Sequence, residues 1–216
     1  LTLLPAAASA QAGNEDFQVW TYVTISAPVS EKVDATLDLH AALTDNAERA
    51  SQYLIRPSLS FKLDDRFAVG GGYAYLRRRP VGGAAVNEHR VFQQVRFRLR
   101  KEDAGLQLST TTRLEQRFEE DSDGTAWRLR HQTRLDLPLG GRTKVRAVLW
   151  NEPFYSLNST SWSGRRGFSA MFNFAGLSIP VSKQVTLEPG YLNFRVIVPG
   201  RDRVNHVAGL FAAVRL

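Results

Sequence analysis

Charged residues, most of them arginine, recur at spacings of two or four in several stretches of this chain. Arg96, Arg98 and Arg100 form one such row. Arg113, Glu115 and Arg117 form a second, followed by Arg128, Arg130 and Arg134. Spacing of two places side chains on one face of an extended strand. Guanidinium groups facing carboxylates across neighbouring strands form ion-pair ladders, and an excess of them attracts anions. Catalytic combinations are harder to find. The four histidines, His40, His89, His131 and His206, are scattered, and there is no Gly-x-Ser-x-Gly elbow. Without cysteine there is no thiol nucleophile, thiolate zinc site or disulfide. Asp121-Ser122-Asp123-Gly124 has only a fragment of a calcium loop and reads as a loop tip. Gly70-Gly71-Gly72 precedes no helix, so it reads as close packing or a bend in a strand. No cofactor and no metal is expected.

The elements that must carry these arginines have period two from Asp16 onward. Val33, Ala35, Leu37, Leu39 and Ala41 alternate with Lys32, Asp34, Thr36, Asp38 and His40. Eleven such segments are expected: 16–28, 31–43, 52–63, 66–78, 88–101, 104–119, 126–138, 142–156, 166–180, 184–198 and 203–216. Many exceed the usual strand of about 5 to 6 residues and suit a tilted strand crossing a bilayer, which needs about 9 to 11. Short polar turns at 63–66, 101–104, 139–142 and 181–184 alternate with longer Gly/Ser/Asn-rich loops. That asymmetry marks an outer-membrane barrel. The expected class is therefore all-β, an up-and-down antiparallel transmembrane β-barrel of 10–12 strands. Because bacterial single-chain barrels have even strand numbers, either 16–28 falls short of a wall strand or one long segment hides a break. Pro189-Gly190 is the favoured place for a bulge.

The ends of the chain agree with export. Leu1–Gln11 reads as the end of a secretory signal peptide, with cleavage after Ala8-Ser9-Ala10. At the other end Ala208, Leu210, Ala212, Val214 and Leu216 alternate to the last residue, the form of a barrel assembly signal. One barrel domain is expected over 16–216, with outer-membrane lipids, lipopolysaccharide and the barrel assembly machinery as partners.

The order of motifs is similar to that of a known family. Val19-Trp20, Gly72-Tyr73, Glu88–Gln94, Arg113–Phe118, Trp127–Arg130, Asn151–Phe154 and Gly190–Asn193 together resemble the family catalogued as domain of unknown function 2490. The resemblance covers roughly the whole mature chain and implies a Gram-negative outer-membrane β-barrel. It implies no activity. The final Leu216 departs from the Phe in which such chains tend to end.

Arginine facing hydrocarbon near the bilayer midplane costs about 2 to 4 kcal/mol. The charged faces must therefore line the lumen. Arg56, Lys62, Arg96, Arg98, Arg100, Arg113, Arg117, Arg128, Arg130, Arg134 and Arg146 point inward on this reading, with Asp34, Asp38, Glu115, Glu119, Asp136 and Glu152 facing them. An ion-pair network is expected from Arg96, Arg98, Arg113, Glu115, Arg117, Arg128, Arg130, Arg134 and Glu152. Such a network fills a small barrel; a basic excess would instead leave a porin-like, anion-favouring lumen. The net charge of +7 then becomes an interior property and no sign of nucleic-acid binding, which needs a basic patch on an outer face. Arg77, Arg78, Arg79 and Arg166 would form a rim able to contact lipid phosphates, and the aromatics, including Trp20, Tyr22, Trp150 and Phe154, would form girdles at both interfaces. No catalytic residue is expected. The alternative function is a lipid-modifying barrel enzyme using His131 or His206.

Overall fold

A computed structural model describes residues 14–100, 105–140 and 144–216. The proposed signal segment 1–10 lies outside the described residues. All regular structure in them is β. Eleven strands follow in chain order: β1 (Glu15–Pro28), β2 (Val33–Thr44), β3 (Arg49–Lys62), β4 (Phe67–Arg78), β5 (Val86–Arg100), β6 (Gln107–Glu119), β7 (Ala126–Pro138), β8 (Arg146–Ser156), β9 (Gly167–Pro180), β10 (Val185–Val196) and β11 (Arg203–Arg215). Each pairs with its chain neighbour, and the sheet closes into a barrel. Closure removes the exposed edges on which sheets otherwise aggregate.

The even strand number is corrected. Segment 16–28 is a full wall strand and no long segment is broken. Ten antiparallel pairings alternate the strand direction, so the first and last of eleven strands run the same way. Closure is accordingly parallel: β1 pairs with β11 from Glu15↔Val204 to Ser26↔Arg215. The anticipated bulge at Pro189-Gly190 is also absent; the registers of β10 with β9 and β11 continue unchanged through it. The register shifts fall instead at Ala42/Leu43, Arg98/Arg100 and Phe154/Tyr155. The connections are less unequal than expected. Those at one end cover 29–32, 63–66, 101–106, 139–145 and 181–184, and those at the other cover 45–48, 79–85, 120–125, 157–166 and 197–202. We call these the turn end and the loop end.

The outer face is apolar on every strand. Aliphatic side chains such as Leu39, Ile55, Leu59, Val95, Leu129, Leu149, Leu177 and Leu210 stand exposed around the wall. Nearer the loop end a ring of exposed aromatics follows, including Phe17, Tyr53, Tyr73, Phe118, Trp127 and Tyr155. Along this outward parity Glu15, Arg77 and Arg195 lie at loop-side strand ends, and the strand bodies carry no charge. Polar side chains there satisfy one another. Gln93 and Gln116 exchange amide hydrogen bonds at 3.0 and 3.3 Å, and Asn151 donates to Asn173 at 2.6 Å.

Candidate functional site: the barrel interior

The interior has two unlike walls. From β8 through β11 to β1 the inward face carries a cluster of aromatic and aliphatic side chains: Trp150, Phe172, Phe174, Leu192, Phe194, Val207, Phe211 and Trp20. Phe172 meets Phe154 and Phe194 edge-on at 4.7 Å, and Trp150 stacks on Phe174 at 5.1 Å. These rings need room against the wall. Gly176, Gly190 and Gly209 pair in one row across β9, β10 and β11. A Cβ at Gly176 would stand 2.6 Å from the Phe174 ring. Glycine here lets the ring lie flat against the sheet.

The second wall, from β3 to β8, is charged, and its ion pairs fall into separate clusters. Glu88 is fully buried and receives Arg90 Nε at 2.7 Å and Arg117 Nε at 2.6 Å. Arg78 Nη2 reaches it at 3.3 Å and bridges to Glu119 at 3.0 Å. Below this group Glu115, 2% exposed, accepts from Arg128 at 2.5 Å and from Arg130 at 3.1 Å. Arg130 also donates to Glu152 at 2.9 Å. Towards the turn end Arg134 holds Asp136 with two hydrogen bonds of 2.8 and 2.9 Å and reaches Glu188 at 2.5 Å. On the neighbouring strands β2 and β3 Arg56 pairs with its register partner Asp38 at 2.8 Å and donates to the Tyr22 hydroxyl.

Of the expected network, Glu115, Arg117, Arg128, Arg130, Arg134 and Glu152 lie in these pairs. Arg117 turns to Glu88, however, and not to a β7 neighbour, because its register partner is Ala126. Arg113 is opposite Arg130 in register, so it cannot enter a charge ladder. Its Nε and Nη2 donate instead to Gln94 Oε1 at 3.1 and 2.7 Å, and its guanidinium lies 4.5 Å over the Phe92 ring. Gly72 makes room for that ring: a Cβ there would approach it to 2.9 Å. Arg96 lines the lumen without a carboxylate partner among the described residues. Arg98 lines its turn-side mouth, with one Nη1 contact to the Asp65 carbonyl at 3.4 Å.

Glu88, Arg78, Arg90, Gln94 and Glu188 were not expected as members. Extending the alternation of Arg96 and Arg98 back along β5 would have found Glu88, Arg90 and Gln94, which share their parity. Two further expectations are corrected. Arg78 points into the lumen and so does not belong to a rim cluster. Trp20, Tyr22, Trp150 and Phe154 also line the lumen, since their parity is that of the inward residues, and the exposed aromatic ring is confined mainly to the loop side.

Packing differs between the two ends. Near the loops Glu88, Arg117, Leu76, Ala126, Phe154 and Leu192 are buried, and Trp162 of the 157–166 loop lies 5.2 Å over the Arg117 guanidinium. Towards the turns the walls carry small residues, among them Thr24, Ser26, Thr36, Ser58 and Ser60. The result is a cavity of about 880 Å³ whose lining reaches from Leu76 and Arg117, buried near the loops, to Pro28, Lys62 and Arg215 at the turn-side strand ends. It is lined by twelve Lys and Arg side chains against four Asp and Glu.

The outward histidines have hydroxyl partners. His131 Nδ1 is 2.8 Å from Thr112 Oγ1, and His206 Nδ1 is 2.6 Å from the Tyr191 hydroxyl. His89 lies between the Tyr73 hydroxyl, 2.5 Å away, and Glu120 Oε1 at 2.9 Å. Hydrogen bonds from His89 and Asn87 hold the Glu120 carboxyl below its ordinary range. None of these three imidazoles is bonded to a serine hydroxyl among the described residues.

Fold and interior together define a closed eleven-stranded β-barrel with a polar, arginine-rich cavity. The chain belongs to the protein family of unknown function DUF2490, whose match spans residues 17–205. It is 32% identical over 183 residues to an uncharacterised protein of Methylorubrum extorquens, covering 83% of this chain and 78% of that one. Among solved structures it is similar to the siderophore receptor PirA of Pseudomonas aeruginosa, at 14% identity and a TM-score of 0.30. That alignment covers 81% of this chain and 36% of the receptor, about a third of its length.

Proposed function

We propose that this protein is an integral outer-membrane β-barrel without catalytic activity, sealed towards the loops and open as a cup towards the turns. The observation that carries the membrane reading is the outer belt. Exposed apolar side chains, aliphatic or aromatic, occur on every strand, the strand bodies bear no outward charge, and most of the exposed aromatics lie towards the loop side. Soluble monomers rarely expose an apolar patch above a few hundred Å², whereas lipid-facing barrel walls have this composition. Short turns are periplasmic in such barrels, which directs the cup to the periplasm and the loops to lipopolysaccharide. Assembly in the outer membrane would engage the barrel assembly machinery through β11.

The closed loop side argues against a conduit. A passive channel needs continuous water through the lumen, but fully buried Glu88 with Arg90 and Arg117 occupies part of the loop-side half. In planar bilayers the protein is therefore expected to insert, as judged by heat-modifiable migration after recovery, and to give no steady conductance. Stable anion-selective channels would contradict the sealed reading and support a porin-like one.

A further inference from the structure

We propose that the cup is a binding site for an amphipathic organic anion, with an acidic head on an aromatic or alkyl body. This goes beyond the membrane assignment and concerns the barrel interior alone. A cavity of about 880 Å³ is within the range of roughly 300 to 1,000 Å³ typical of small-molecule sites. Its two walls differ in chemistry. Trp150 and Phe211 present aromatic surface on one side, and Arg56, Arg96 and Arg113 present guanidinium groups on the other.

The cationic wall is not self-neutralised. Arg113 has a neutral amide as its hydrogen-bond acceptor, and neither it nor Arg96 has a carboxylate partner among the described residues. Eight of the twelve cationic side chains lining the cavity pair with a carboxylate, and Arg96 and Arg113 are among the four that do not among the described residues. A purely structural filling would favour matched charges, since unmatched guanidinium groups in a confined space repel one another. An anion held between Arg96 and Arg113 would supply the missing charge. The body of the ligand would lie on Trp150 and Phe211. A free inorganic anion would satisfy the arginines and leave that wall wet, whereas a neutral hydrocarbon would do the reverse. An amphipathic anion satisfies both walls. Entry is from the turn end, where small Ser and Thr side chains line the mouth.

The test is calorimetric titration of the purified protein, in phosphatidylcholine nanodiscs, with 2-naphthoate. The same titration is run with 2-naphthylmethanol, which lacks the charge, and acetate, which lacks the body. Saturable binding of naphthoate is expected, with each control at least about tenfold weaker, the scale of one lost charge-assisted hydrogen bond. R96Q and R113Q should each weaken naphthoate by about the same factor. Arg96 has no carboxylate whose pairing it would break, so R96Q decides the outcome if R113Q fails to fold. Equal binding of naphthoate and naphthylmethanol, or unchanged binding in R96Q, would overturn the proposal. A protein that will not enter nanodiscs would count against the membrane reading alone, and the titration then proceeds on the barrel in solution.

Discussion

Replacing Glu88 by Gln is expected to lower the unfolding free energy of the barrel by about 3 to 5 kcal/mol, the range for removing one partner of a buried ion pair. Glu88 is fully buried and faces Arg78, Arg90 and Arg117. Without its charge these guanidinium groups stay near one another, those of Arg90 and Arg117 nine-tenths buried. Arg78 retains Glu119, but the bonds that Arg90 and Arg117 make to Glu88 have no second carboxylate among the described residues. The double variant E88Q/R117Q should recover part of the loss, because one unmatched charge leaves with the second substitution. The Arg195–Asp202 pair provides the contrast. Its arginine side chain is 51% exposed, so D202N should cost less than about 1 kcal/mol. Urea unfolding of the refolded barrel measures all three. A loss in E88Q no larger than in D202N would mean that the loop-side network does not hold the barrel shut.

The second large effect is expected on the outer face. Leu39 is the seventh residue of the twelve-residue β2 and is exposed. In a bilayer, L39R should cost about 2 to 4 kcal/mol, with a corresponding fall in the folded, heat-modifiable fraction recovered from membranes. On a soluble barrel the same exposed substitution should stay within about 0.5 kcal/mol. Unfolding measured in lipid vesicles separates these cases.

Much of the wall could be read from the sequence, because alternation along a long strand is repeated many times over. The expected segment 126–138 and β7 (Ala126–Pro138) coincide, and the other strand limits lie within a few residues. What alternation alone could not convey was closure: nothing local in 16–28 or 203–216 indicates that they pair with each other in parallel. The aromatic wall was lost for a different reason. Assigning apolar residues to lipid and polar ones to the lumen works on β6 and β7, where the two faces differ. It fails on β9, whose Met171-Phe172-Asn173-Phe174-Ala175-Gly176-Leu177 is mainly apolar on both faces. A strand covered on both sides reads this way, and here the second cover is the lumen packing of Trp150 and Phe194. The ion-pair partners were only half legible. Parity puts Arg113 and Arg117 inside, but register decides that one meets Gln94 and the other Glu88, and register is set by turns and bulges such as that at Arg98/Arg100.

The central claim is that one face of this wall meets lipid and the other a water-filled cup. The chain has no cysteine, so single cysteines can be placed without background. L39C and L129C put a bimane label on the outer face, and S58C puts it in the cup. In vesicles whose lipids carry brominated acyl chains, the two outer labels should be quenched by the lipid and protected from aqueous iodide. The S58C label should show the opposite. Outer labels that iodide reaches freely and brominated chains do not touch would contradict the membrane barrel.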